Sequence, residues 1–203
     1  MPDPLVMHAG YAGALMIDNI DTDQIIPSRE MRAVSREGLG GGLFAGWRYE
    51  DPGARLEKPG FVLNRAPRPS ILVCGHNFGC GSSREHAVWA LAEYGIRVII
   101  AKSFGEIFHG NCLRNGILPV TLPEAEVDRI AAKCDGAMMD VDVRTQTVSA
   151  PGLPGWTGRF EIGAFPKRLV LEGLDPVRLT LKDAGIIGEF LDADRARRPW
   201  VYA

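Results

Sequence analysis

Ile71-Leu72-Val73-Cys74-Gly75-His76-Asn77-Phe78-Gly79-Cys80-Gly81-Ser82-Ser83-Arg84-Glu85-His86-Ala87-Val88 decides how this chain folds. Four apolar residues, Ile71 to Cys74, predict a buried strand. Gly75, Gly79 and Gly81 break it into a turn. Ala87, Val88, Leu91 and Ala92 then recur at helical spacing. Ser82 and Glu85 have the S-x-x-E spacing of a capping box, a purely structural device open to any α/β protein. Gly79 and Gly81 could serve only to permit positive φ. The same residues also suit chemistry. A helix start presents N–H groups and a positive potential that favour an anion. Ser82 and Ser83 place hydroxyls there, and Arg84 adds a planar fork for a carboxylate. A serine beside a carboxylate clamp points to proton transfer at a neighbouring carbon. It does not point to a serine hydrolase, because Gly-Cys-Gly-Ser-Ser-Arg-Glu-His lacks the G-x-S-x-G elbow.

Downstream, Arg97-Val98-Ile99-Ile100-Ala101 reads as a second buried strand. A helix follows from Ser103-Phe104-Gly105-Glu106, again with capping-box spacing, and Asn115-Gly116 closes it. Leu118-Pro119-Val120 is a short strand. Residues 70–120 therefore alternate strand and helix, which predicts a parallel sheet with flanking helices. A helix from Pro123 and strands at 138–143 and 145–148 come next, and 165–194 reads as helix broken at Gly173, Pro176 and Gly185.

Upstream, a strand ending Ala14-Leu15-Met16-Ile17 runs into Asp18-Asn19-Ile20-Asp21-Thr22-Asp23-Gln24-Ile25-Ile26-Pro27. Asp18, Asp21 and Asp23 do not make a calcium loop: counted from Asp18, the sixth and twelfth positions hold Asp23 and Arg29 where glycine and glutamate are required. A polar turn and the edge of an active site are the two readings. Residues 28–60 are rich in glycine and charge and read as loop, with Arg29, Arg32 and Arg36 able to reach an anion bound elsewhere.

The 203 residues fit one domain able to bury a core. A net charge of −2 offers no case for nucleic acid, and the one dense basic cluster, Arg195, Arg197 and Arg198, reads as a solvated tail. No apolar run is long enough for a membrane helix, and Met1-Pro2-Asp3-Pro4 is not a signal peptide, so a cytoplasmic location is expected. Cys74, Cys80, Cys112 and Cys134 have no C-x-x-C spacing, so neither a disulfide nor a metal cluster held by this chain alone is expected.

Three stretches in this order carry a resemblance: Asp18 to Pro27, Asn77 to Ala87, and Ser103-Phe104-Gly105-Glu106-Ile107-Phe108-His109-Gly110-Asn111. They resemble the small subunits of 3-isopropylmalate dehydratases, which match the swivelling domain of the aconitase superfamily. The resemblance spans about residues 5–190. It implies a single swivelling β/β/α domain over 1–203 with a mostly parallel central sheet, a mobile substrate loop at about 28–60 and a C-terminal helical extension at about 165–203. It also implies a heterodimeric hydro-lyase whose 4Fe–4S cluster sits on a separate large subunit and whose substrate is a small dicarboxylate. Ser82 then corresponds to the general base, Ser83 to a member of the active-site hydrogen-bond network, and Arg84 to the carboxylate clamp. Thr22 and Asp23 correspond to a pair standing behind them, and Arg36 to a second substrate-binding arginine. A helix-borne His86 has either a packing or a chemical role, while His76 and His109 read as structural. Sister dehydratases for citraconate, dimethylmalate or homoaconitate, and a non-catalytic anion- or protein-binding module, are the alternatives.

Overall fold

The computed structural model describes residues 3–31 and 37–202. The chain opens with strand β1 (Met7–Leu15) and a one-turn helix, α1 (Thr22–Ile25). Next come α2 (Ala45–Arg48) and a ribbon of β2 (Tyr49–Asp51) with β3 (Leu56–Glu57). Then β4 (Ile71–Cys74), α3 (Glu85–Tyr94), β5 (Val98–Ala101), α4 (Glu106–Arg114) and β6 (Leu118–Thr121) alternate as the pattern predicts. Helix α5 (Glu124–Cys134) leads to β7 (Met138–Asp142), β8 (Thr147–Ser149) and β9 (Thr157–Arg159). Helices α6 (Ala164–Glu172), α7 (Pro176–Leu181) and α8 (Ala184–Arg197) end the chain, with a 3₁₀ turn at Pro199–Val201.

One sheet of seven strands, in the order β6-β5-β4-β1-β7-β8-β9, forms the centre. Strands β1, β4, β5 and β6 are parallel. Strands β7, β8 and β9 add an antiparallel meander along the other edge of β1. Asp142 tightens the β7–β8 turn by accepting from the N–H groups of Arg144 and Thr145 at 2.7 and 3.0 Å.

Alternate side chains of a strand face opposite ways, so a sheet covered on both sides needs apolar residues at every position. Strands β4 and β5 meet that requirement: all eight residues are fully buried. Leu72, Cys74, Ile99 and Ala101 join a core under α1, α3 and α4. Ile71, Val73, Val98 and Ile100 join the opposite core with Val127 and Ile130 of α5, Val141, Val148 and Val170.

The described part of segment 28–60 is more structured than its composition suggests. Leu43, Phe44 and Ala45 are completely buried, and Phe44 stacks on Trp47 at 5.7 Å. Arg48, 5% exposed, donates to Asn64 Oδ1, the Gly40 carbonyl and Glu57, with its guanidinium 4.9 Å from the Tyr94 ring centre. Arg36 and Arg32 lie outside the described residues. At the other end, Gly185 does not break a helix: α8 runs through it, and the interruption falls at Lys182–Asp183. Arg195 and Arg197 ride on that helix and are exposed to solvent, as expected, and Arg198 caps it. Arg198 grips Asp194 through Nε and Nη2, both at 2.8 Å, and the Tyr202 hydroxyl donates to the same carboxylate at 2.7 Å.

Candidate active site

Loops leaving the carboxyl ends of β1, β4 and β5 meet, the position where open α/β sheets place ligands. The first two are joined residue by residue. Asp18 Oδ1 accepts from the His76 N–H at 2.7 Å, and the Asn77 amide donates to Asn19 Oδ1 at 2.9 Å. The N–H of Gly79 donates to Ile20 O at 2.7 Å, and that of Thr22 donates to Cys80 O at 3.0 Å. The third loop closes on the second: Ser103 Oγ accepts from the Asn77 N–H at 2.8 Å, and Gly105 N–H donates to Phe78 O at 2.9 Å.

Positive φ at Asn77 (54°), Gly79 (75°) and Gly81 (86°) lets the β4 loop coil tightly enough to make these bonds. At Gly79 a side chain would also have no room: an added Cβ would lie 2.1 Å from Phe108 Cγ.

Neither serine acts as a helix cap. Helix α3 starts at Glu85 with Arg84 at the N-cap and no side-chain cap bond, so the spacing of Ser82 and Glu85 does not produce a capping box. The second such pair fails too: α4 is preceded by Gly105, and Ser103 is committed to Asn77. A capping box does form at α1, where Asp21 Oδ1 accepts from Gln24 N–H at 2.7 Å and Gln24 Oε1 accepts from Asp21 N–H at 2.8 Å. The Asp21-x-x-Gln24 spacing is the signal that could have revealed it.

Freed from capping, Ser82 and Ser83 are exposed on the bend before α3. Among the described residues, neither hydroxyl has a hydrogen-bond partner. The backbone beneath them is held: Thr22 Oγ1 donates to Ser82 O at 3.0 Å, and Arg84 N–H donates to the same carbonyl at 2.7 Å. Buried Thr22 therefore supports the serine bend directly.

Arg84 points back across the site. Its Nη1 donates to Asp23 Oδ1 and, at 3.0 Å, to Ser28 Oγ, while Ser28 donates to Asp23 at 3.2 Å. Ser28 was not picked out from the sequence, since nothing in its spacing links it to residue 84. These contacts use one guanidinium nitrogen, leaving Nε and Nη2 for a carboxylate.

Thr22, Asn77, Cys80, Ser82, Ser83 and Arg84 face a cavity of about 310 Å³ whose far wall is Glu106, Ile107, Phe108 and Asn111 of α4. Hydroxyls, a cation and an α3 amino end make this wall suited to an anion. A neutral serine is a weak base, so proton abstraction needs positive charge beside its oxygen; Arg84 and the start of α3 are the groups here that supply it. The motif histidines do not line the cavity. His86 packs on Trp89 with ring centres 4.8 Å apart, His109 packs on Phe104, and His76 faces Glu124 at 3.4 Å.

The residues present do not fit an iron–sulfur cluster on this chain. Cys74, Cys112 and Cys134 are buried in the cores, and burial pushes all three thiols up, away from the thiolate a metal needs. Among the described residues, no three His, Cys, Asp or Glu side chains converge as a metal site.

The chain is similar to known proteins. The Aconitase C-terminal domain family matches residues 3–125. A 3-isopropylmalate dehydratase small subunit from Cupriavidus necator is 53% identical, with 98% of each chain covered. Another so named, from Dinoroseobacter shibae, is 47% identical over 95% of this chain and 96% of its own. Among solved structures, a 3-isopropylmalate dehydratase from Methanocaldococcus jannaschii superposes with a TM-score of 0.66 at 29% identity, covering 90% of this chain and 98% of that one.

Proposed function

The chain belongs to the family of 3-isopropylmalate dehydratase small subunits, and from that premise we propose that it is the proton-handling half of a two-subunit hydro-lyase. The reaction removes water from 2-isopropylmalate and returns it with opposite regiochemistry to give 3-isopropylmalate, a step of leucine biosynthesis. A larger subunit, carrying the iron–sulfur cluster, completes the enzyme in the cytoplasm. Among the described residues no helix is long and apolar enough to cross a membrane.

The observation that carries this reading is the convergence of Ser82, Ser83 and Arg84 on one cavity, with Asp23 and Ser28 seating the arginine. Arg84 binds a substrate carboxylate through Nε and Nη2, which fixes the adjacent C–H bond. Ser82 Oγ, held as an alkoxide by the guanidinium and the start of α3, takes that proton and becomes a neutral hydroxyl, while the C–H electron pair forms the new double bond as the substrate hydroxyl departs. Ser83 holds the hydrogen-bond network around it, and Thr22 keeps the bend in place through the Ser82 carbonyl. Arg36, from the segment between α1 and α2, contributes a second cation to the substrate.

Co-purification with a candidate large subunit under anaerobic conditions, followed by cluster reconstitution, allows the unsaturated intermediate to be followed by absorbance. Efficient turnover of 2-isopropylmalate over citraconate is the expected result; the reverse preference would assign a sister dehydratase. Ser82→Ala should lower kcat by about 100- to 10,000-fold while the two subunits still co-purify. Near-normal turnover by that variant would remove Ser82 as the base.

A further inference from the structure

Asn111 sits on α4 one turn beyond Ile107, only 5% exposed, yet it lines the same cavity as Ser82 and Arg84. Its side-chain oxygen accepts from Arg114 Nη2. A guanidinium can only donate, so the amide oxygen is committed to Arg114 and the NH₂ group is the end left over. Among the described residues, Nδ2 has no hydrogen-bond partner. It is not sealed in apolar surroundings either: among the described residues, the one such buried side-chain atom without a partner is Glu126 Oε2. An oriented amide donor without a partner, on a largely buried residue that lines the cavity, is a group prepared for a ligand, because a donor left unmade in the interior carries a cost.

The neighbours say what that ligand is. Arg84, whose Nε and Nη2 are not used by the Asp23 and Ser28 contacts, lines the same space as Ser82 and Ser83, so donors dominate and an anionic oxygen fits them. Glu106 is the opposing charge on this wall, and it is exposed at the first turn of α4. We propose that Asn111 is a substrate-positioning residue whose Nδ2 hydrogen-bonds a carboxylate oxygen of the dicarboxylate substrate. Arg114 acts through it by fixing which end of the amide faces the cavity. This rests on the dehydratase reading above.

The test uses the reconstituted two-subunit complex and two variants, Asn111→Asp and Asn111→Leu. Asn111→Asp keeps the shape and the Arg114 contact but replaces the donor with a carboxylate, so a merely structural Asn111 would tolerate it. The expected result is a rise in KM for 2-isopropylmalate of about ten-fold or more in both variants, with the melting temperature of Asn111→Asp at or above wild type. A KM within two-fold of wild type for a folded Asn111→Asp complex would overturn the proposal. Calorimetric binding of 2-isopropylmalate to the same complexes separates this from the parent reading. Wild-type binding without turnover, with affinity at least ten-fold weaker in Asn111→Asp, would sink the assigned reaction and keep Asn111 as a ligand donor. No binding by wild type would sink both.

Discussion

His109 and His8 carry a pH dependence that belongs to single residues. Burial pushes the His109 imidazole below its ordinary value of 6.5, and burial followed by the charge of Arg97 does the same to His8. His109 packs on Phe104 at 5.7 Å between ring centres, and His8 Nε2 shares a hydrogen bond with Ser70 Oγ at 2.8 Å. With the folded pKa below the unfolded one, the unfolded chain takes up the extra protons. Stability is therefore full above the unfolded value and falls as the pH drops through it. Thermal melts from pH 8 to pH 5 should show this decline, and His8→Gln with His109→Gln should flatten it. An unchanged slope in the double variant would place the titration elsewhere.

At the scale of elements, the β4 loop depends on one close approach. Gly79 combines φ of 75° with a ring where its Cβ would go, so Gly79→Ala meets both left-handed strain and a clash in a packed core. About 2–5 kcal/mol of lost stability follows, measurable as a lower urea midpoint; a loss under about 1 kcal/mol would mean that Phe108 moves aside freely. The strand–turn–helix order around this glycine was legible because buried parallel strands have unbroken apolar runs. Helix starts were less so. Capping-box spacing is local, and at Ser103 a distant N–H, that of Asn77, claims the hydroxyl. Thr157-Gly158-Arg159 forms β9 without apolar alternation, its register set by pairing to β8. Glycine content concealed the core residues Leu43 and Phe44 in 28–60. Within the site, Ser82, Ser83 and Arg84 were legible as one motif together with its Thr22-Asp23 support. Ser28 was not, since only the fold brings it within reach of residue 84.

Across the whole molecule, apolar exposure is concentrated at one end. Val177, Leu181, Ile186, Phe190, Trp200 and Val201 are all more than half exposed. Helix α8 contributes a single buried side chain, Asp194, and that one is covered by Arg198 and Tyr202. Uncovered apolar surface of this kind drives association. The isolated chain should self-associate as its concentration rises, and removal of residues 184–203 should suppress this while leaving the melting temperature within a few degrees. Light scattering and a thermal melt on the two forms check it. A full-length chain that stays monomeric at high concentration would contradict the expectation.

The joined loops of β1 and β4 have a consequence for transplanting or reshaping this site. Thr22 measures the height of the Ser82 backbone, and its neighbour Asp23 measures the reach of Arg84. Ser82 and Arg84 are thus spaced by two adjacent residues from a segment sixty positions away. Inserting or deleting one residue in either loop would shift both at once, so length variation has no tolerated place there. Anyone grafting the serines and arginine onto another scaffold would have to carry the Asp18–Pro27 strip with them, and altered substrate preference is better sought in walls that do not share this ruler.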